Sequence, residues 1–221
     1  QLLKVHPNAL KFISENDFRK IIEEKKARIT DRTTYGEFVW HCSEIIASVH
    51  CAHTYMGSFY PGSEIVPVSL RFPLQTRWVN NQLFVIDPAN NDNKVAVKDE
   101  ILSINGIAVS QMIKDIYKHI PAQGYIETTK KHFFNTWYTG LIPFALGFPE
   151  TYEIVVKGAE KPVVLNKAVT LKGPFDDPSI KHCADNLCLE FLDNNKTAIL
   201  TISSFVYYRW ANFNVFEDFI N

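Results

Sequence analysis

The sequence predicts an α+β protein, because helical and strand periodicities occupy different stretches of the chain. Apolar residues first recur at intervals of three and four, as on one face of a helix. Short alternating segments separated by asparagine- and glycine-containing turns follow, as in antiparallel strands. We therefore expect a helical part over residues 1–60, a strand-rich module with an inserted helix over residues 61–175, and the start of a further domain over residues 176–221.

The composition indicates a globular chain without a strong charge bias. Its 221 residues are 46% hydrophobic, which is enough apolar surface for one large or two small cores. Lysine and arginine number 23 against 24 acidic residues, so the chain lacks the broad positive field that nucleic acid would bind. No apolar run approaches the roughly 20 residues of a membrane-spanning helix. We expect no nucleic-acid partner, no membrane span and no cofactor.

The first part has the signals of a helical hairpin between about residues 17 and 50. Ser14 with Asp17 is typical of a helix start, and Thr34 with Glu37 forms a second capping box. Glycine and proline follow soon after residue 53, so the second helix should end near there. The apolar positions at helical spacing are Phe18, Ile21, Ile22, Ile29, Phe38, Val39, Cys42, Ile45, Ile46 and Val49.

The second part contains several short strands. Residues 65–68, 76–79 and 83–86 are expected strands, the last two joined by an Asn80-Asn81 turn. Helix should follow at residues 130–137, before strands at residues 152–156 and 163–171. A hairpin over residues 187–202 and a helix at residues 213–220 are expected in the last part.

The clearest local signal is the segment EILSINGIAV, residues 100–109. Asn105-Gly106 supplies the two positive-φ positions of a type I′ turn between two strands. Ser110 should then cap a helix that carries Met112 and Ile113 on its apolar face.

Residues 97–106, VKDEILSING, resemble the strand and turn of a PDZ module. A helical hairpin ending in CAHTY (residues 51–55), then a PDZ-like module, then the strand AILTISSF (residues 198–205) is similar in order to the tail-specific, C-terminal-processing and tricorn-type serine peptidases. The resemblance covers nearly the whole chain. It implies an exported, periplasmic or secreted, serine endopeptidase with a polypeptide substrate, represented here by its helical part, PDZ-like module and the truncated start of its α/β catalytic domain.

The resemblance assigns a catalytic role to His53. In the tricorn branch a short motif of small residue, histidine, small residue and tyrosine carries the catalytic histidine, and residues 52–55 match it. A serine hydroxyl needs a base with a pKa near working pH to take its proton, and histidine suits that role. The other interpretation is a structural or surface histidine near a helix end.

The chain departs from the family pattern in two ways. Lys98 replaces the usual glycine before the aspartate of the PDZ turn, which is acceptable if its φ is negative. The nucleophilic serine, the oxyanion segment and the lysine of the processing branch are all implied to lie beyond residue 221, so the chain alone should be inactive. Ser203 and Ser204 are not assigned as nucleophiles, because they end a strand with no neighbouring base in the sequence.

A PDZ-like module would bind an extended peptide as an added strand and its terminal carboxylate in a loop of main-chain amides. The candidate peptide-binding residues are Phe72, Leu74, Gln75 and Arg77. Pro73 lacks an N–H and removes one possible donor. An ordinary structural strand and turn is the alternative.

Five potential soft ligands lie close together in the sequence at His41, Cys42, His50, Cys51 and His53. Their spacing lacks the pairs of common zinc sites, and on a helix His41 and His50 would point to opposite faces. We therefore expect no metal site.

The four cysteines divide into two pairs. Cys183 and Cys188 flank an Asp-Asn turn, where a disulfide is possible. Cys42 and Cys51 lie about 13 Å apart on a continuous helix, too far for a disulfide, and should be buried thiols.

Two classes of function remain open. One is the peptidase described above. The other is a non-catalytic protein that binds peptides or other ligands on the same scaffold. The oligomeric state is not predicted by the sequence.

Overall fold

The computed structural model describes residues 1–56, 66–169 and 187–202. Helices and antiparallel strands both occur, which confirms the α+β class. By its internal contacts the chain divides into two compact units, Gln1–Phe175 and Asp176–Asn221. Within the described residues, no helix is long and apolar enough to cross a membrane.

The predicted helical hairpin is confirmed. It consists of α2, Glu15–Lys26, and α3, Tyr35–Ala47, preceded by the short helix α1, Leu2–Val5. The Ser14 side chain accepts a hydrogen bond from the amide of Asp17, and Thr34 and Glu37 cap each other reciprocally. The helix starts were predictable because these caps are local, within three residues of each other.

Six strands form one antiparallel sheet in the order β1-β2-β3-β5-β6, with β4 paired to β3 on a side branch. β1 and β6 are therefore at the ends of this order. The strands are β1, Gln75–Val79; β2, Gln82–Asp87; β3, Glu100–Ile104; β4, Ile107–Ala108; β5, Glu153–Val156; and β6, Val163–Val164.

Both predicted tight turns are present. Asn80 and Asn81 have positive φ between β1 and β2, and Asn105 and Gly106 have φ of 46° and 76° between β3 and β4, as a type I′ turn requires. Lys98 does not meet the condition of a negative φ under which a lysine is acceptable at this position. Its φ is 78°, so a lysine occupies a conformation that glycine adopts without cost.

The two helices of the module differ in detail from their predictions. Helix α4, Val109–Tyr117, begins after Ala108, so Ser110 lies inside the helix and does not cap it. Helix α5, Glu127–Ala145, is longer than predicted and continues through Pro143. Its last two turns are held by burial in the core, which outweighs the local cost of proline; the buried residues there are Tyr138, Gly140, Leu141, Ile142, Pro143 and Phe144.

Two predicted strands are wrong in part. No strand forms at residues 66–68, the described part of the expected strand at residues 65–68, and Val68–Leu70 is a single 3₁₀ turn. Of the expected strand at residues 163–171, the described residues 163–169 contain only the two residues of β6. The residues of these segments favour strands, but no long neighbouring strand among the described residues pairs with them.

The main core lies between the sheet and α4 and α5, and it also includes Val39 of α3. A smaller cluster of Ala9, Phe18 and Val49 holds the helical hairpin to the segment before it. The fully buried residues of the main core include Leu83, Val85, Ile101, Ile104, Met112, Ile113, Ile116, Phe134, Leu141 and Ile142.

The described part of the second unit is a hairpin of β7, Leu187–Leu192, and β8, Thr197–Ile202, as predicted. Cys188 is disulfide-bonded, whereas Cys42 and Cys51 are free. The predicted helix at residues 213–220, together with Cys183, Ser203 and Ser204, lies outside the described residues.

Candidate functional site

His53 lies on the segment that follows α3. The helix ends at Ala47, and His50 then adopts a left-handed conformation with φ of 54°, which redirects the chain. His50 is tied to Gly124 by two hydrogen bonds of 2.9 Å, one from the Gly124 amide to the His50 carbonyl and one between His50 Nδ1 and the Gly124 carbonyl. These contacts make His50 an anchor of the segment and leave His53 exposed beyond it.

His53 lines a cavity of about 610 Å³ between this segment and the start of the chain. Within the described residues, no hydrogen bond to the His53 ring is found. Neither ring nitrogen therefore has a partner there that would orient the ring. The other residues around the cavity are Leu2, Val5, His6, Pro7, Cys51, Thr54 and Tyr55.

Two of the predicted peptide-binding side chains are in the core. Phe72 and Leu74 are each 1% exposed, and Phe72 packs edge-on against Tyr152. The Phe72 amide donates to the carbonyl of Thr139, so it is not directed to a ligand. In this conformation neither side chain can contact a peptide, because each is enclosed by the core.

Gln75 and Arg77 lie on β1, the strand at one end of the sheet order, and both are half-buried. The alternating residues of β1, Thr76 and Trp78, are buried. An added peptide strand would have to pair with main-chain groups of this strand that β2 does not use.

Helix α5 already occupies those main-chain groups. The amide of Thr76 donates to Tyr138 Oη at 3.0 Å, and the amide of Trp78 donates to Asn135 Oδ1 at 2.7 Å. Asn135 Nδ2 donates back to the Trp78 carbonyl at 3.1 Å. Asn135 and Tyr138 are three residues apart and therefore lie on one face of the helix. The inserted helix takes the place that a peptide strand would use.

A cavity of about 710 Å³ lies beside this closed edge, between α4, the first turns of α5 and the end of β1. Trp78, Ile113 and Tyr117 form its apolar part, and its charged residues are Lys114, Lys131 and Glu127. Burial is the largest influence on the Tyr117 hydroxyl and raises its pKa to about 12, so this group remains a neutral hydrogen-bonding partner.

A group with the residue types of a catalytic triad occurs elsewhere, and sequence reasoning missed it. Ser43 Oγ lies 2.8 Å from His119 Nδ1, and His119 Nε2 lies 3.5 Å from a carboxylate oxygen of Glu44. Glu44 also forms an ion pair with Lys25 at 2.5 Å. The sequence has no signal for this group, because Ser43 and His119 are separated by 76 positions.

The geometry of this group indicates a structural role and not a catalytic one. Ser43 is 1% exposed and does not line the neighbouring cavity of about 310 Å³, so no substrate can reach its hydroxyl. The hydroxyl donates to the carbonyl of Trp40 at 2.7 Å, and the His119 ring stacks on Trp40 with the centroids 3.4 Å apart. Burial lowers the pKa of His119 to about 3. The group joins α3 to the end of α4.

No family model matches the chain, and no curated protein matches it. Within residues 1–56, 66–169 and 187–202, no cluster of His, Cys, Asp and Glu has the arrangement of a metal site.

Proposed function

We propose that this chain is the amino-terminal part of an exported serine endopeptidase of the tail-specific and tricorn type. In this proposal His53 is the general base, and the PDZ-like module contributes to reading the polypeptide substrate. The observation that carries the proposal is the hairpin of β3 and β4, whose Asn105-Gly106 turn has the conformation expected for the PDZ-like motif and is followed directly by α4.

The surroundings of His53 support a role in chemistry. The ring is exposed at a cavity, and His50, earlier in the same segment, is anchored to Gly124, so the segment has a defined course. A base that must meet a nucleophile from another part of the protein has to be accessible in this way. Residues of the longer polypeptide would supply the nucleophile, the oxyanion donors and the group that orients the ring.

The disulfide at Cys188 supports export. Disulfide bonds form and persist in oxidising compartments such as the periplasm, and they are rare in the cytosol. A serine peptidase that acts outside the cytoplasm would meet polypeptide substrates there.

The second candidate, a non-catalytic protein that binds ligands on this scaffold, is favoured by one observation. Asn135 and Tyr138 of α5 occupy the edge of β1, so strand addition requires displacement of a helix. In that case the cavity beside Trp78 and Tyr117, whose charged residues are Lys114, Lys131 and Glu127, is the better binding site for a small ligand.

Peptide hydrolysis by the longer polypeptide tests the proposal. We expect His53→Ala to reduce turnover by about 10²-fold or more, the range expected for loss of general-base catalysis, with folding unchanged. His132→Ala, which removes an exposed histidine of α5, is the control and should leave turnover unchanged. The 221-residue chain itself should be inactive. An unaltered rate in His53→Ala would move the base elsewhere, and hydrolysis by the 221-residue chain would show that the nucleophile is misplaced.

A further inference from the structure

The cavity of about 310 Å³ beside the contact of Ser43 with His119 has three walls. They are formed by the end of α2, by α3 and by the end of α4. The ion pair of Lys25 and Glu44 joins α2 to α3, and His119 Nδ1 joins the end of α4 to the Trp40 carbonyl of α3 at 3.0 Å. The walls are therefore held in a fixed arrangement, as in a preformed binding site.

The hydrogen bonds of His119 determine where its ring proton lies. Nδ1 lies 3.0 Å from the carbonyl of Trp40 and 2.8 Å from Ser43 Oγ, and the Ser43 hydroxyl donates its own proton to the same carbonyl at 2.7 Å. Both neighbours of Nδ1 are thus acceptors. Burial lowers the pKa of His119 to about 3, so the ring is neutral. Its single proton is then on Nδ1, and Nε2 carries a lone pair.

Nε2 of His119 is an acceptor without a donor in the described part of the chain. A carboxylate oxygen of Glu44 lies 3.5 Å from it, but an ionised carboxylate can only accept. The His119 side chain is 6% exposed, and both residues line the cavity. A buried acceptor that is left unpaired destabilises the protein, so Nε2 favours an occupant of the cavity that donates a hydrogen bond.

The same cavity has an excess of positive charge. Glu44 is paired with Lys25, and Asp115 is paired with Lys118 at 2.7 Å, so each carboxylate of the lining has its own counter-charge. Arg28 is a third cation of the lining. Within residues 1–56, 66–169 and 187–202, no ion pair or hydrogen bond joins its exposed guanidinium to another side chain. Its planar fork of N–H groups suits two oxygens of a small anion.

His41 reports the electrostatic balance on the α3 wall. Burial is the largest of the effects that lower the pKa of its ring, and the charges of Lys25 and Arg28 act in the same direction. Glu37 and Glu44 oppose them with smaller effects. The cations therefore outweigh the carboxylates at this wall, and a neutral His41 adds an N–H donor without adding charge.

We propose that this cavity binds free hydrogen phosphate, with Arg28 holding its anionic oxygens and His119 Nε2 accepting the hydrogen bond of its hydroxyl group. Hydrogen phosphate combines the two features that the cavity demands, because it is an anion that still carries a proton. Sulfate has the same charge and a similar shape but has no proton to donate. It would place an oxygen lone pair against the lone pair of Nε2, so the cavity should discriminate between the two ions.

Titration calorimetry of the 221-residue chain at pH 8 and constant ionic strength tests the proposal with three anions. Inorganic phosphate, sulfate and methyl phosphate are all mainly dianions at this pH, since a phosphate monoester loses its second proton near pH 6. Only inorganic phosphate retains a hydroxyl group. We expect it to bind at one site, about ten-fold or more tightly than either of the other two anions.

Two substitutions separate the charge from the acceptor. Arg28→Gln should weaken the binding of phosphate by about five-fold or more, whereas Arg32→Gln, which removes a nearby exposed arginine outside the lining, should not change it. His119→Asn keeps an N–H donor near the place of Nδ1 and removes Nε2. It should reduce the affinity for phosphate to that for sulfate and leave the affinity for sulfate unchanged within about two-fold.

The proposal fails if phosphate shows no saturable binding, if the three anions bind equally, or if Arg28→Gln and Arg32→Gln have the same effect. Circular dichroism shows whether each variant is folded. If His119→Asn is not folded, the preference of the wild-type chain for phosphate over methyl phosphate decides the question. The readout is anion binding and not peptide hydrolysis, so failure here leaves the peptidase proposal untouched, and the reverse also holds.

Discussion

The side chain of Asn135 pairs with both main-chain groups of Trp78, accepting from its amide at 2.7 Å and donating to its carbonyl at 3.1 Å. A primary amide offers one acceptor and one donor side by side, so it can replace one residue of a neighbouring strand. An α-helix thereby closes a strand edge that would otherwise be open to pairing.

Removal of the pairing between Asn135 and Trp78 should open the edge of β1 to an added strand. Asn135→Ala leaves the amide and carbonyl of Trp78 without their partner, and we expect it to destabilise the fold by about 1–3 kcal/mol. It should also increase the affinity for peptides with a free carboxyl terminus, measured by titration with fluorescent peptides. Thr136→Ala is the control, because the Thr136 hydroxyl donates to the His132 carbonyl of the same helix and not to β1.

An amidated peptide distinguishes the two interpretations of the opened edge. If the module recognises a terminal carboxylate, amidation should abolish the binding that Asn135→Ala reveals. Equal binding of both peptides would refute the carboxylate loop around Phe72 and Leu74, and no binding of either would identify the module as structural.

The buried His119, which follows the end of α4, predicts an acid-dependent loss of stability. Histidine titrates near 6.5 in the unfolded chain, whereas His119 titrates at about 3 in the folded protein because it is buried. Between these values the unfolded state binds more protons, so the free energy of unfolding should fall as the pH decreases from about 6.5 toward 3, by up to about 1.4 kcal/mol per pH unit.

Urea denaturation at a series of pH values measures this effect. His119→Gln removes the titrating group and should make the decrease shallower over that window. His132→Gln, at an exposed position, should keep the wild-type slope. Lys25, Lys118 and His41, whose charges also lower the His119 pKa, remain in both variants. The same slope in His119→Gln would show that other groups cause the acid sensitivity.

The conformation of Lys98 predicts a stabilising substitution. A non-glycine residue at φ of 78° carries strain, and the conformation is maintained because the Lys98 amide donates to the Val85 carbonyl at 2.8 Å. Lys98→Gly should therefore stabilise the protein by about 0.5–1 kcal/mol in thermal or urea unfolding. Lys98→Ala removes the same exposed side chain but keeps a Cβ, so it should bring no gain. A less stable glycine variant would mean that the position is unstrained.

The ion pair of Lys25 and Glu44 should contribute more to the free energy of unfolding than the exposed pair of Arg19 and Glu15. The side chains of Lys25 and Glu44 are 9% and 19% exposed, against 64% and 52% for Arg19 and Glu15. Glu44→Gln leaves a cation largely buried without its counter-charge, and we expect a loss of about 2–4 kcal/mol in the free energy of unfolding. Glu15→Gln should cost under about 0.5 kcal/mol. Comparable losses in the two variants would contradict this difference.

The candidate site residues show how far a local sequence pattern predicts the place of a side chain in the fold. His53 was located on an exposed segment after a helix by a local pattern, and the structure places it there. Phe72 and Leu74 were assigned to a peptide site by a similar local pattern, and the structure encloses them in the core. A local pattern does not distinguish a loop that faces solvent from one that an inserted helix covers.

The local geometry of this chain was predictable from its sequence: the caps at Ser14 and Thr34, and the turns at Asn80-Asn81 and Asn105-Gly106. These features depend on hydrogen bonds and φ preferences within a few residues. The pairing of Asn135 with Trp78 across 57 positions and the contact of Ser43 with His119 across 76 were not predictable in this way. Such contacts arise when the core brings distant segments together, and the side chains that meet there have no local signature.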